Sequence, residues 1–511
     1  MAWGFAAERS DNGRPTDVLY KEYFKIFLDP KELKRVTEKA PENAPASMQE
    51  VEKMYLDYLT CLYNHIKAIL SGLEFPDRPW EQVVIEYIFS VPTTWTDQNV
   101  IERFRNIAQA AGFGSVRSHQ LTIGLTEAEA AAVHVSKGQP KLFSAGDVLL
   151  MCDAGGGTTD LSVLQISSNV ADILDLRQVD YVNGKAIGSV AIDDDFCNLV
   201  SERLFKADAE RPLGLNEDDI HQQAWEVSLN SFFQDTKCSF GDSNSRNFAS
   251  TDTFACPLRR VPYAYVNDKR GIRGQEIKIT FQALQTIFDK QVDKLFRHID
   301  SQIKRVARHR IRYLILSGGL GHSQYVQQRL KQRYETDMEA GHAILVRVAN
   351  DPQLAVCIGL VRDRVQRLDS GRSALSVRVC RESYGVQCDI DVTKGDQKLY
   401  GEARKEKDSR DQKDYYKNCI RWLIKQGEPV HADEANSWNF CRLFAKGQKD
   451  VPYTVRLLKS SAPADSIPHV VALGASMLFT SPLLTPVDEY RRCARSVSNQ
   501  DIFCCCYAYR V

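Results

Sequence analysis

Asp153-Ala-Gly-Gly-Gly-Thr-Thr-Asp160 sets three consecutive glycines and two threonines between two carboxylates. Amides in such a glycine turn can converge on an anion, and no side chain blocks a ligand's approach. Asp153 and Asp160 can hold the water shell of a Mg²⁺ ion or orient an attacking water, while Thr158 and Thr159 add hydroxyls. These residue types suit a phosphate chain with its cation. The plain alternative is a tight hairpin turn with solvated Asp and Thr, but three glycines exceed what a turn needs.

Apolar runs on both sides predict the elements that carry this turn: a strand over 148–151 and a second beginning at Leu161, Val163 and Leu164. Upstream, apolar spacing predicts a long amphipathic helix over 47–73. A buried strand over 83–91 follows, stopped by Pro92, then a helix over 97–111 closed by Gly112 and Gly114. Residues 126–133 are strong helix formers. Downstream, strand character resumes over 173–182, and Gly184-Lys-Ala-Ile-Gly-Ser189 opens a helix at about 192–205, either facing a phosphate or making an ordinary helix entry. Helices are predicted over 225–240 and 281–307, with a polar, β-containing segment between them at about 246–279. A buried strand from Tyr313 ends in Gly318-Gly319, where backbone can approach a flat ring, and a helix over 324–334 follows. A β run at 342–348 and a helix over 354–365 lead to a linker at 368–373.

Residues 374–480 alternate apolar and polar in short segments, which predicts a separate antiparallel β module. The mixed-sign block 402–417 reads as a solvated loop or helix. Residues 491–511 lose the β pattern and read as a disordered tail. Their Cys504-Cys-Cys506 lacks the terminal prenylation pattern and a basic partner run.

Composition narrows the function classes. Lys plus Arg and Asp plus Glu number 66 each, so no overall field draws the chain to nucleic acid or an anionic membrane. The stretch 470–479 is too short and too rich in small residues to span a bilayer. No basic segment followed by an apolar run opens the chain, and the 14 cysteines show no CxxC pairing, which favours a reduced, cytoplasmic setting.

The three loops at Gly155, Gly188 and Gly318 together resemble those of the actin-like ATPase (ribonuclease H-like) fold, specifically the seventy-kilodalton heat-shock chaperone family and its divergent, short-tailed branch. The resemblance covers about residues 1–366. Asp153 to Asp160 is similar to that family's second phosphate loop, and Val91-Pro-Thr-Thr-Trp-Thr-Asp97 to its proline-bearing strand end. Glu127-Ala-Glu-Ala-Ala-Ala132 resembles the first connecting helix, and Asp351 to Gly359 the second. The implied fold is a two-lobed α/β ATPase, with lobes over 1–170 and 171–366, followed by the β module.

The resemblance also implies roles and ligands. Gly155, Gly156, Gly157, Thr158 and Thr159 would hold the phosphates of ATP or ADP, and Asp153 the Mg²⁺ shell. Glu127 and Asp160 would orient water. Gly188 and Ser189 would touch ribose or phosphate, Gly318, Gly319 and Leu320 would flank the adenine with Asp351 near them, and Gln234 and Lys237 would belong to the base clamp. The family's catalytic lysine corresponds to Lys25 or to Lys21.

Departures are equally specific. The family's opening hairpin, Asp-x-Gly-Thr-Thr, does not occur, and Trp3-Gly-Phe-Ala-Ala7 resembles the segment that follows it; a shortened gene model and a true loss explain this equally. Gln234 and Cys238 stand where the family has glutamate and arginine, His322 replaces another arginine, and Val100 replaces the arginine that senses the proline switch. Losing one element of charge stabilisation costs about 10²–10³ in rate. The expectation is therefore a chaperone-like nucleotide-binding protein with weak or absent hydrolysis, its β module adding an extended client peptide to a sheet edge. The alternatives are a non-catalytic interaction scaffold on the same fold and a sugar or acid kinase, for which no carboxylate base stands out.

Overall fold

The computed structural model describes residues 24–39, 44–95, 97–139, 141–170, 173–242, 253–338, 340–409, 411–432, 437–444, 453–471, 477–483 and 503–510. The architecture is mixed α/β with several sheets. It divides into two compact units, Met1–Leu174 with Asn183–Ser370, and Asp175–Val182 with Gly371–Val511.

In the first unit a 3-10 turn, Phe24–Leu28, leads into helices α1 (Pro30–Lys39) and α2 (Met48–Ile69). The Ser47 side chain caps α2 by accepting from the Glu50 amide. The apolar stripe of α2 at Val51, Tyr55, Leu59 and Tyr63 shares a core with the parallel pair β1 (Ile85–Val91) and β2 (His119–Thr126) and with the intervening helix α3 (Gln98–Ala110). Next comes α4 (Glu127–Gly138), where the Thr126 amide donates to the Glu129 carboxylate at 2.9 Å.

The hairpin β3 (Val148–Ala154) and β4 (Thr159–Val170) follows, and then β5 (Ile173–Gln178), along which the chain passes into the second unit. It returns as β6 (Asn183–Lys185) and helix α5 (Val190–Glu210). The helix predicted over 225–240 is two helices, α6 (Glu217–Leu229) and α7 (Ser231–Ser239). Asn230 takes an extended conformation between them and caps α7 by accepting from the Phe232 amide. A small sheet of β7 (Thr253–Pro257), β8 (Val266–Asn267), β9 (Ile272–Arg273) and β10 (Glu276–Thr280) precedes the long helix α8 (Phe281–Arg305). The unit closes with β11 (Ile311–Ser317), the short turn α9 (Gly318–Gly321), α10 (Gln324–Lys331), β12 (Leu345–Val348) and α11 (Ala355–Ser370). The predicted linker at 368–373 is shorter than its polarity suggested, because α11 continues through Ser370 before the chain turns at Gly371, φ 73°.

The main sheet of this unit runs β12-β11-β3-β4, with β6 added to β4. β3 is buried at every position and β11 at nearly every one, as expected of strands covered on both faces. α4 and α11 cross so closely that a Cβ on Gly359 would lie 1.8 Å from the Ala130 carbonyl oxygen. The alanine run of α4 is fully buried at this crossing. Small residues let two helix backbones meet, and one end of α4 is thereby held in place.

The second unit contains β13 (Leu375–Val379), parallel to β5, and β17 (Pro429–His431), antiparallel to β13. An antiparallel sheet runs in the order β15 (Lys405–Lys407), β16 (Asp414–Ile424), β14 (Ser383–Asp391), β19 (Tyr453–Ser460), β20 (Met477–Leu483). A short helix, α12 (Gln397–Tyr400), lies between β14 and β15. The mixed-sign block 402–417, read as loop or helix, contributes β15 and the start of β16, whose pairing satisfies its backbone. β18 (Ser437–Phe444) pairs with β21 (Phe503–Arg510); the rest of the tail read as disordered, 491–502 and Val511, lies outside the described residues. Among the described residues no helix is long and apolar enough to cross a membrane.

Candidate functional site

The site sits where β3, β4 and β11 end or begin. The Gly155 amide donates to the Thr158 carbonyl at 2.9 Å, closing the turn. The carbonyls of Gly155 and Gly156 accept from the amides of Ser189 and Val190, at 3.2 and 2.9 Å, at the start of α5. In a trans peptide each carbonyl points opposite to the next residue's N–H. The N–H groups of Gly156 and Gly157 therefore point together away from α5, and no acceptor among the described residues takes either one. Both glycines are exposed. Gly188 makes this packing possible, since a Cβ there would stand 2.0 Å from the Gly156 oxygen.

Pairing across the hairpin places Asp153 opposite Asp160, so both carboxylates project on one face. Ser317, in register with Asp153 on β11, donates its hydroxyl to the Asp153 Oδ1 at 2.9 Å. The Thr93 hydroxyl, from the turn after β1, donates to the Asp160 Oδ1, and the Thr158 hydroxyl reaches its Oδ2 at 3.4 Å. Glu127, the first residue of α4, forms an ion pair of 2.7 Å with Lys25. The Tyr55 hydroxyl donates to the Lys25 carbonyl at 3.0 Å, fixing that segment from α2. Of the two lysine candidates, Lys25 is thus seen to meet Glu127, and Lys21 lies outside the described residues.

Burial, with Glu127 next, pushes the Asp153 carboxyl up to about 6. Burial, then Glu127, then Asp153 push Asp160 up to about 8. Three carboxylates face one lysine, which leaves an excess of negative charge that a divalent cation would neutralise. Among the described residues no three His, Cys, Asp or Glu side chains lie close enough to hold a metal directly.

The remaining predicted residues divide. Thr159 is buried and its hydroxyl donates to the Ile187 carbonyl at 2.8 Å, so it anchors the second loop from inside. Ser189 begins α5 beside Gly156. Gly318, φ 78°, packs on the end of β3, where a Cβ would lie 2.4 Å from the Ala154 oxygen and 2.8 Å from the Asp153 Oδ1. Gly319 faces open space, whereas Leu320 is a core residue. Asp351 occupies a left-handed turn, φ 46°, next to Pro352, whose carbonyl accepts from the Gly318 amide at 3.4 Å. Lys237 and Gln234 both turn to Asp193 on α5, at 2.6 and 3.1 Å, and Gln234 also donates to the Ser228 carbonyl. Burial raises the Asp193 carboxyl, and Lys237 opposes that rise.

Thr93, Asp193, Ser317 and Gly184 were not singled out from sequence as site residues. A Cβ on Gly184 would strike both the Asp160 Oδ1 and the Thr93 Oγ1, at 2.3 and 2.6 Å, so that position closes over their contact. Ser317, at the end of a buried strand before two glycines, and Gly184, which opens the second glycine loop, had local signals.

Residues 378–457, all in the second unit, match the family described as Domain of unknown function (DUF8568). No curated protein matches the chain.

Proposed function

We propose that the first unit binds ATP or ADP with Mg²⁺ at the Gly155–Gly157 turn, in the manner of the seventy-kilodalton heat-shock chaperone family and its actin-like ATPase fold. One observation carries the reading: two adjacent, exposed N–H groups point the same way beside a buried pair of aspartates. The main sheet order and the close crossing of α4 and α11 support the fold assignment.

In this reading the Gly156 and Gly157 amides hold phosphate oxygens, as amides of a nest do. Asp153 and Asp160 would hold the water shell of Mg²⁺, which when bound supplies charge neutralisation between the phosphates. Lys25 adds a cation at the phosphate end, and Glu127, held by it, orients water. Burial and the neighbouring carboxylates hold Asp160 above the usual carboxylate range, which makes it a poor base toward an attacking water.

A non-catalytic scaffold is the second reading. Lys237 and Gln234 favour it, since both satisfy Asp193 rather than pointing unpaired at a ligand. Client capture by the antiparallel sheet rests on its two edges: β15 is three residues long and carries Lys405 and Lys407, a pattern that discourages strand addition, whereas β20 spans Met477–Leu483 with no charged residue.

Calorimetric titration with ADP, with Mg²⁺ and then with chelator, tests the proposal. Micromolar binding that needs Mg²⁺ and weakens at least tenfold in Asp153→Asn is the expected outcome. Absence of binding at millimolar ADP leaves the scaffold reading.

A further inference from the structure

The second unit carries a pair of thiols placed for chemistry of their own. β14 and β16 are antiparallel, and their register sets Cys388 directly opposite Cys419. Residues paired in this way project to one face with Cα atoms about 4.5–5.5 Å apart. A disulfide bridges Cα separations of about 4.4–6.8 Å. Both cysteines are free thiols in this structure.

Their surroundings hold that opposition in place. Next to the pair the register shifts between Cys388 and Ile390, with Asn418 in a left-handed conformation, φ 56°. On the other side of β16, the Ile420 amide donates to the His469 carbonyl at 2.8 Å and the Val471 amide to the Asn418 carbonyl at 2.9 Å. Cys419 is therefore held on a strand secured along both edges. It is buried beside Tyr416 and Ala403, with Tyr400 and Ile390 packed against them. Among the described residues its Sγ meets weak acceptors, the carbonyls of Tyr416 at 3.5 Å and Lys417 at 3.8 Å. Cys388 is half-buried and so reachable by a small reagent. Burial pushes each thiol up to about 11, and the neighbouring Cys419 adds to the rise at Cys388. Reaction is consequently slow near neutral pH, where little thiolate is present.

We propose that Cys388 and Cys419 are a dithiol site that closes to a disulfide across β14 and β16 on exchange with a small disulfide such as oxidised glutathione. The Cys388 thiolate attacks one glutathione sulfur, forming a mixed disulfide and releasing one glutathione thiolate. Cys419 then attacks the Cys388 sulfur and displaces the second glutathione. The two protons lost by the cysteines go to the two glutathione thiolates, and the two electrons reduce the glutathione disulfide. The bridge ties the central strand β14 to β16 and closes the loop holding α12 and β15.

The test is peptide mapping of the full-length protein after incubation with oxidised glutathione, quenching with an alkylating reagent and digestion without reductant. The expected result is a peptide pair joined through Cys388 and Cys419, two hydrogens lighter than the sum of its parts and separated by reductant. Cys419→Ser should instead accumulate glutathione on Cys388. Because that variant can fail to fold, the wild-type map decides. A Cys388 that carries glutathione but never joins Cys419, a Cys388 that stays unmodified, or a bridge from Cys388 to another cysteine would each overturn the proposal.

Discussion

Thr93 and His298 are single side chains whose effects should be measurable separately. The Thr93 hydroxyl donates to a carboxylate that is almost wholly buried. Leaving such a buried group short of a partner costs about 1–3 kcal/mol. Thr93→Val should therefore lower stability in urea unfolding by that order and weaken Mg²⁺-dependent ADP binding, while Thr93→Ser should retain most of both. Equal losses in the two variants would assign Thr93 to packing alone. His298 on α8 is fully buried, and burial, with Lys185 next, pulls its pKa down to about 4. The folded value lies below the unfolded value of about 6.5. Below 6.5 the unfolded chain takes up the proton first, so stability present above 6.5 is lost as pH falls toward 4. The difference between wild type and His298→Leu in unfolding free energy should change by about 3 kcal/mol across that window and stay flat above it.

Among the elements, the contact between α4 and α11 sets the entry angle of Glu127 into the site. Gly359→Ala would drive a methyl group into the Ala130 carbonyl, which neither helix can vacate without separating. The expected cost is about 1–3 kcal/mol in chemical unfolding, together with weaker ADP binding because Glu127 shifts. Gly138→Ala, where the nearest atom is the far end of Arg362 at 3.2 Å, serves as the tolerated control. Similar behaviour of the two variants would show that the crossing is loose. Gly188→Ala tests the other element contact, the start of α5 on the glycine turn. With a Cβ 2.0 Å from the Gly156 oxygen, it should displace the turn and abolish ADP binding in the same titration.

For the molecule as a whole, two compact units predict two transitions in scanning calorimetry. Mg²⁺ and ADP should raise one of them, by about 2.7 kcal/mol at a hundredfold excess over the dissociation constant, and leave the other in place. Equal shifts of both, or of neither, would count against nucleotide binding confined to the first unit. Oxidised glutathione should act on the complementary transition, because Cys388 and Cys419 belong to the second unit.

Local spacing by itself determined the hairpin, its glycine turn and the buried strands, because turn chemistry and apolar period act within a few residues. It also indicated Asp153 and Asp160, which bracket the glycine turn, whereas Glu127 was indicated only by the resemblance of its helix. It misjudged the helix at Asn230 and the length of the linker after α11, since capping and helix extension depend on what packs nearby. Tertiary structure alone decided that Lys25 meets Glu127 from 102 residues away and that Thr93 meets Asp160 from 67 residues away. It likewise turned Lys237 and Gln234 to Asp193 and set Cys388 against Cys419. Such pairings follow from strand register and helix crossing, which are global solutions to burying apolar faces, so no short window of sequence contains them.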